Sequence, residues 1–301
     1  MVGAARPERD IVRDFEAALA RRSRHAHAST FASGREALMA LCTAMGLKPG
    51  DEIVLPAFIC PAVRFALIRA DVEAVPCEIE PRTLGPSIEG VRKAISVFTR
   101  AILVPHLVGH AARDLAAIAR LAQIRGIPLI EDCAHITGLP VHKPPVGNAG
   151  LATIHSFESS KPVPCGRGGA VTTDDERLAR KLAVIGKKAP SPDAGWIRAA
   201  RAAHDLALHP PKPETDPALR RRIGGTSVPP TGPFAPPRPR RLAPELAAIA
   251  LEHLQHPLTP KTGTRDAWLA RKPFGPPPDG FVAALKRLPI ARAAWAGDLN
   301  A

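Results

Sequence analysis

The sequence predicts an α/β fold with a mostly parallel sheet and helices on both of its faces. Between about residues 28 and 186, short runs rich in apolar and β-branched residues alternate with segments whose apolar residues recur at helical spacing. This alternation favours a parallel sheet, because each crossover helix returns the chain to the same edge. Ligands of such sheets lie at the carboxyl ends of the strands.

Short, mainly apolar runs predict the strands, and proline or glycine at their borders limits their length. The first run is closed by Pro56, and the run at 101–105 is entirely apolar, as expected for a buried strand. The predicted strands are 52–55, 74–79, 101–105, 128–131, 152–157 and 170–173.

Helical spacing of apolar residues predicts the helices between these strands. Gly46 and Gly126 follow two of them, as is common where a helix ends in the left-handed conformation. Asp174 is the predicted cap of the last one. The predicted helices of this region are 35–45, 62–70, 113–125 and 175–185.

The composition changes after Gly186. Residues 186–301 hold 20 of the 34 prolines, and residues 228–239 resemble a proline-rich linker, which does not pack as helix or sheet. Helical spacing returns at 196–208, 242–254 and 281–295. We expect an N-terminal helical arm at 1–27, a large domain at 28–186, a proline-rich basic insert or linker at 187–241, and a helical remnant and tail at 242–301, with a poorly ordered proline-rich C-terminal part.

The charge is strongly basic, at +13, and residues 186–301 hold 18 Lys and Arg against 9 Asp and Glu. Nucleic acid, an anionic membrane surface or an acidic substrate would each fit this charge. The absence of tyrosine leaves few rings for base stacking, which favours a solvated basic surface over a nucleic-acid partner. No apolar run is long enough to span a bilayer, and the first residues lack the apolar segment of a signal peptide.

The five cysteines are odd in number and form no CxxC pair. This pattern argues against a disulfide framework and against a zinc site. It is typical of a protein kept in a reducing compartment, so we expect a cytoplasmic location and no metal.

Two chemically informative residues stand where predicted strands end. Asp132 follows the strand at 128–131, and Lys161 lies 29 residues later, shortly after the strand at 152–157. A lysine amine forms a Schiff base with the aldehyde of pyridoxal 5'-phosphate (PLP), and a carboxylate keeps the ring nitrogen of PLP protonated. His135 lies three residues after Asp132, on the same side of a helical turn. The sequence therefore predicts a PLP site with Lys161, Asp132 and His135 as catalytic residues.

A phosphate site is predicted from the Ser156 hydroxyl and from Ser33-Gly34-Arg35, which opens a helix whose free N–H groups would face the phosphate. Arg35 would add positive charge. Simpler interpretations exist for each residue: Ser33 and Asp132 as helix caps, Ser156 as a backbone-bonded strand serine, and Lys161 as a surface lysine. The turn at 166–169 would let the backbone approach the cofactor, or would only reverse the chain.

These stretches resemble, in the same order, the motifs of the DegT/DnrJ/StrS sugar aminotransferases, a family of fold type I PLP enzymes. The resemblance covers roughly residues 28–186. The matching stretches are SGREAL at 33–38, LKPGDEIVLPAF at 47–58, PHLVG at 105–109, IEDCAH at 130–135, PVG at 145–147 and SFESSK at 156–161.

The resemblance implies the large domain of a type I PLP-dependent transferase, with Lys161 as the aldimine lysine and Asp132 as the partner of the ring nitrogen. His135 would neighbour the ring, and Ser156 with the backbone of residues 34–35 would bind the phosphate. Cys60 stands where the family often has an aromatic residue that stacks on the ring, and Arg35 where it often has threonine.

The resemblance also implies a function. Family members form homodimers and transfer an amino group, usually from glutamate, to a keto sugar carried on a nucleotide. Their products enter polysaccharide, lipopolysaccharide or secondary-metabolite sugars. Lys161 argues against the related sugar dehydratases, in which histidine replaces the lysine.

Departures from the family pattern leave an alternative. Residues 241–248 resemble the helix after the family's substrate loop, but the asparagine usually found before it is replaced by the stretch at 237–240, and the family's C-terminal domain is not recognisable. The alternative is a truncated or diverged, non-catalytic member that binds PLP or an intact paralogue. A nucleic-acid binder that uses the basic tail is a third interpretation.

Overall fold

The computed structural model describes residues 8–138, 146–208 and 238–256, which contain a seven-stranded sheet with helices on both faces. The strands are β1 His27–Phe31, β2 Glu52–Pro56, β3 Glu73–Cys77, β4 Thr99–Pro105, β5 Leu129–Asp132, β6 Ala152–Ser156 and β7 Gly169–Thr173. The helices are α1 Glu8–Ser23, α2 Gly34–Met45, α3 Pro61–Arg69, α4 Ile88–Ala94, α5 Leu115–Arg125, α6 Glu176–Lys188, α7 Ala194–Leu208 and α8 Pro244–Gln255.

The sheet has the order β1-β7-β6-β5-β4-β2-β3. Strands β2 to β6 pair in parallel, whereas β7 runs antiparallel to both β6 and β1. The carboxyl ends of β5 and β6 are neighbours, with Asp132 opposite Ile154. The predicted mostly parallel α/β fold is confirmed.

Alternation along the strands divides the core between two layers, because successive side chains of a strand point to opposite faces. On one face, Leu55 and Leu103 belong to an apolar cluster that includes residues of α2, α3 and α6. On the other face, Val54 and Val104 belong to a cluster with residues of α4 and α5. A third cluster joins α1, α7 and α8, and within it Phe15 meets Phe157 edge-on at 5.1 Å between ring centroids.

The six predicted strands and the six predicted helices that fall on described residues are present, with ends that differ by at most three residues. The predicted cap of α6 was wrong by one position. Asp175 is the cap and accepts from the Leu178 N–H, whereas Asp174 accepts from the Ala26 N–H at 2.7 Å. Residues 78–79 do not extend β3, and Ile79 forms only an isolated bridge with Pro86.

Two elements were missed by the sequence analysis. Strand β1 is polar at three of its five positions, and it is held by its pairing with β7 and by Glu16, which accepts from both the N–H and the hydroxyl of Thr30 at 2.8 Å. Helix α4 has only seven residues, too few for a clear period, and is capped by Ser87. The predicted helix at 281–295, most of the predicted linker and the expected poor order of the C-terminal part lie outside the described residues, and the predicted domain borders remain predictions.

No helix within the described part of the chain combines the length and the hydrophobicity needed to cross a membrane.

Candidate functional site

Asp132 and Ser156 are the last residues of two adjacent parallel strands, so both lie at one edge of the sheet. The loop that follows Ser156 carries Lys161. This loop is closed at its base, where the Phe157 N–H donates to the Gly168 carbonyl and the Cys165 N–H to the Phe157 carbonyl, each at 2.9 Å. The sheet edge and the closed loop together bring the predicted catalytic residues to one place.

The Asp132 carboxylate is half-buried and uses one oxygen within the protein. Its Oδ1 accepts from the Ala134 N–H at 2.9 Å, but residues 134–138 form a turn and not a helix, so the interpretation of Asp132 as a helix cap was wrong. Within the described residues, Oδ2 has no hydrogen-bond partner. Burial raises the pKa of Asp132, and the Ala134 N–H and the charge of Lys161 oppose that rise. Oδ2 is therefore available to a cationic ligand that would stabilise the ionised form.

His135 and Lys161 are both half-buried and interact electrostatically. Burial, followed by the positive charge of Lys161, lowers the pKa of His135 to about 3. His135 is therefore neutral at neutral pH. Because the charge of Lys161 acts on Asp132 as well as on His135, the three predicted catalytic residues form one group.

A buried hydrogen bond between His106 and Glu131 fixes the end of β5 below Asp132. His106 Nδ1 accepts from the Ala112 N–H, so its Nε2 carries the proton and donates to Glu131 at 2.9 Å. The Glu131 carboxylate also accepts from the N–H groups of Gly147 and Ala149. Burial alone would raise the pKa of Glu131, but the hydrogen bonds from His106, Gly147 and Ala149 hold it below its usual value. The sequence analysis quoted His106 and Glu131 only as parts of motifs and missed this role.

The predicted phosphate residues meet at the N-terminus of α2. Ser33 caps the helix through the Glu36 N–H, so its capping interpretation is correct. The N–H groups of Gly34 and Arg35 have no partner among the described residues. A Cβ on Gly34 would lie only 3.1 Å from Cβ and 3.3 Å from Oγ of Ser156, so the serine hydroxyl lies against the start of the helix. Free N–H groups, a hydroxyl and the positive end of the helix dipole together suit a phosphate.

Gly169 holds the turn at 166–169 against this helix start. A Cβ on Gly169 would lie 2.3 Å from the Gly34 nitrogen and 2.5 Å from the Gly34 Cα, which leaves no room for any side chain. The glycine-rich turn therefore brings two backbones into direct contact beside the candidate phosphate site, in addition to reversing the chain.

Cys60 lies after β2, at the same edge of the sheet, where it is exposed and precedes α3. In the part of the chain that is described, no hydrogen bond or ion pair connects it to Asp132, His135 or Lys161. A residue that lies against the cofactor ring needs no such bond, so the role of Cys60 stays a prediction. No cluster of three or more His, Cys, Asp or Glu residues within the described ranges is arranged to hold a metal ion.

An arginine from far along the chain reaches this site and was missed by the sequence analysis. Arg240 forms an ion pair with the buried Glu36 of α2 at 2.9 Å and stacks over Trp196, with its Cζ 4.8 Å from the ring centroid. Nothing local in the sequence indicates this pair, because 204 positions separate its members.

The chain is similar to known aminotransferases. Residues 8–196 match the model of the DegT/DnrJ/EryC1/StrS aminotransferase family. The L-glutamine:2-deoxy-scyllo-inosose aminotransferase of Streptomyces lividus is 36% identical over 180 residues, which are 60% of this chain and 41% of that protein. The UDP-N-acetyl-3-dehydro-α-D-glucosamine 3-aminotransferase of Acidithiobacillus ferrooxidans is 37% identical over 171 residues, 56% of this chain and 46% of that protein. The chain thus spans less than half the length of either relative.

Solved structures show the same fold. DesV of S. venezuelae, in complex with a ketimine intermediate, superposes with a TM-score of 0.59 at 28% identity, over 84% of this chain and 58% of DesV. NtdA of Bacillus subtilis, with bound cofactor PMP, superposes with a TM-score of 0.60 at 23% identity, over 82% of this chain and 48% of NtdA, which supports the fold alone. Since the family model matches more than half of its residues, this chain belongs to the DegT/DnrJ/EryC1/StrS aminotransferase family.

Proposed function

We propose that this protein is a PLP-dependent aminotransferase that transfers an amino group to a keto sugar carried on a nucleotide. The observation that carries the proposal is the grouping of Lys161 with Asp132 and His135 at the carboxyl ends of β5 and β6. The meeting of Ser156 with the start of α2 supports it further.

The described residues fit PLP at three points. The amine of Lys161 suits its aldehyde, Oδ2 of Asp132 suits its ring nitrogen, and the N–H groups of residues 34–35 with the Ser156 hydroxyl suit its phosphate. When bound, PLP supplies an electron sink for carbanion chemistry.

The residues of this chain would contribute binding and proton transfer. Asp132 would keep a proton on the ring nitrogen, and that nearby positive charge would offset the burial that raises its own pKa. Lys161 Nζ would hold the cofactor covalently and, once released, would move the proton at the α-carbon of the amino donor. His135, neutral because its pKa is about 3, would orient Asp132 or lie over the ring.

The names of two relatives support the proposed substrate class. One relative is named for a UDP-linked dehydro sugar, and the GDP-perosamine synthase of Vibrio cholerae, 30% identical over 195 residues, is named for a GDP-linked product. We propose glutamate as amino donor, whereas the inosose aminotransferases are named for L-glutamine, so both donors belong in the assay. We further propose a cytoplasmic homodimer whose products enter polysaccharide, lipopolysaccharide or secondary-metabolite sugars.

The test uses the full chain purified with PLP. We expect visible absorption that borohydride removes, with the reduced adduct mapped to Lys161 by mass spectrometry. Lys161→Ala should abolish adduct and turnover, whereas Lys181→Ala, at an exposed position of α6, should change neither. Assays with UDP- and GDP-linked keto sugars and both donors then define the substrate. A colourless protein without an adduct would contradict the proposal and favour a non-catalytic relative, which a binding assay with an intact paralogue would test.

A further inference from the structure

Three arginines converge on the N-terminus of α2. Arg35 lies in the first turn of the helix, and Arg240 reaches it from the segment before α8. Arg167 lies two residues before Gly169, whose backbone packs directly on that of Gly34. The contact between these glycine backbones therefore brings the Arg167 turn against the start of the helix.

One of the three charges is neutralised. Arg240 Nη2 lies 2.9 Å from Oε1 of the buried Glu36, and the Arg240 backbone N–H donates to Oε2 at 2.7 Å. Trp196 stacks with two of the arginines, with its ring centroid 4.8 Å from Arg240 Cζ and 5.8 Å from Arg167 Cζ. Since this pair satisfies Glu36, little of that negative charge remains for the other two arginines.

Arg35 and Arg167 have no such carboxylate partner among the described residues. In the described part of the chain, no carboxylate forms an ion pair or hydrogen bond with either guanidinium. Arg167 is half-buried, and its pKa is lowered first by burial and next by the charge of Arg35, with Arg240 adding to this effect and Glu158 and Glu36 opposing it. Two close positive charges that are partly removed from water are unfavourable unless an anion joins them.

We propose that Arg167 is a further phosphate-binding residue, which acts together with Arg35 on the phosphate received by the start of α2 and Ser156. A guanidinium offers a planar fork of N–H donors that matches phosphate oxygens, and a phosphate would relieve the repulsion between the two arginines. The inference rests on the proposed function, since the phosphate belongs either to PLP or to the diphosphate of the nucleotide sugar.

The test compares ligands that differ only in phosphate. Full-length wild type, Arg167→Gln, Arg35→Gln and, as a control, Arg120→Gln at an exposed position of α5 are titrated with PLP, pyridoxal and UDP. Binding of PLP and pyridoxal is followed by visible absorption, and that of UDP by calorimetry. We expect Arg167→Gln to weaken PLP about 10-fold, as for the loss of one charge-assisted hydrogen bond, and to leave pyridoxal unchanged.

The titrations with PLP and with UDP distinguish the two possible sources of the phosphate. A loss for PLP alone assigns Arg167 to the cofactor phosphate, and a loss for UDP alone assigns it to the nucleotide. Unchanged affinities for PLP and UDP in Arg167→Gln overturn the inference while leaving the Lys161 adduct, and thus the proposed function, intact. If PLP forms no adduct, the proposed function fails, and phosphate protection still tests Arg167.

Phosphate protection needs no variant. Phenylglyoxal labels arginines in the wild-type chain with and without inorganic phosphate at matched ionic strength. We expect phosphate to reduce labelling of Arg35 and Arg167 and to leave Arg120 unchanged. Equal labelling of Arg167 in both conditions contradicts the inference, and this measurement also replaces Arg167→Gln if that variant does not fold.

Discussion

Arg240 binds Glu36 through both its backbone and its side chain. The Arg240 backbone N–H lies 2.7 Å from Oε2 of Glu36, and Nη2 lies 2.9 Å from Oε1. The Arg240 carbonyl also accepts from the N–H of Ala32, which precedes α2, at 2.9 Å. Glu36 is in the first turn of α2, next to the N–H groups proposed to bind phosphate. The segment before α8 is therefore attached to the candidate cofactor site, and neutralises a carboxylate that would otherwise repel a phosphate.

Loss of this pair should destabilise the fold. Arg240→Gln leaves the buried Glu36 without its counter-charge, and breaking such a pair costs about 3 kcal/mol. Urea denaturation should show this loss, whereas Arg241→Gln, at the exposed neighbouring arginine, should stay within about 0.5 kcal/mol of wild type. Equal stability of the two variants would show that the pair contributes nothing.

A methyl group should have opposite effects at two glycines. Gly169→Ala places Cβ 2.3 Å from the Gly34 nitrogen, and because backbone cannot move aside easily we expect a loss of about 1–3 kcal/mol and weaker PLP binding. Gly186→Ala, in α6 with no atom within 4 Å of its Cβ, should stabilise by up to about 1 kcal/mol. Thermal unfolding of both variants gives the comparison, and a neutral Gly169→Ala would contradict the close backbone contact.

Buried His155 should make stability depend on pH. It bonds Thr137 and Thr172 at 2.9 Å, and burial, followed by the charge of His25, lowers its pKa from 6.5 to about 3. Between these two values the unfolded chain binds a proton at His155 and the folded chain does not. The contribution of neutral His155 to the free energy of unfolding is therefore complete above pH 6.5 and is lost as the pH falls towards 3. From pH 7 to pH 5 the loss from this group is about 2 kcal/mol.

The measurement is urea denaturation at pH 7 and pH 5. His155→Gln should lower stability at pH 7 and reduce the difference between the two pH values. His256→Gln, at an exposed position after α8, is the matched control and should retain the wild-type difference. A difference that is the same in wild type and His155→Gln would mean that His155 does not titrate in this way.

Asp132→Asn should separate cofactor attachment from turnover. The amide oxygen still accepts from the Ala134 N–H, so we expect the fold and the Lys161 adduct to persist. Without a carboxylate at the ring nitrogen, turnover should fall on the order of 10²- to 10³-fold. Asp71→Asn, at an exposed left-handed position that asparagine tolerates, is the control. Turnover within twofold of wild type in Asp132→Asn would exclude the proposed role.

The features that could be predicted from the sequence are those that leave a pattern within a short stretch of the chain. The strand and helix positions follow from local periodicity, and the ends of β5 and β6 place Asp132 and Ser156 at one sheet edge because parallel strands share their direction. Helix α4 was not predicted because it is too short for a clear period, and strand β1 was not predicted because it is largely polar. The roles of the catalytic and phosphate-binding residues, and that of Cys60, remain predictions for the experiments above.

The sequence by itself determined the α/β class, the strand ends that carry Asp132 and Ser156, and the family, because each of these depends on neighbours within a few turns or strands. Only the tertiary structure decided that β7 runs antiparallel, that Gly169 lies against Gly34, and that Arg240 pairs with Glu36. These relationships join residues that are not neighbours in the chain. Charged groups and backbone polar groups that are removed from water must be paired, and only the folded chain brings their partners to them.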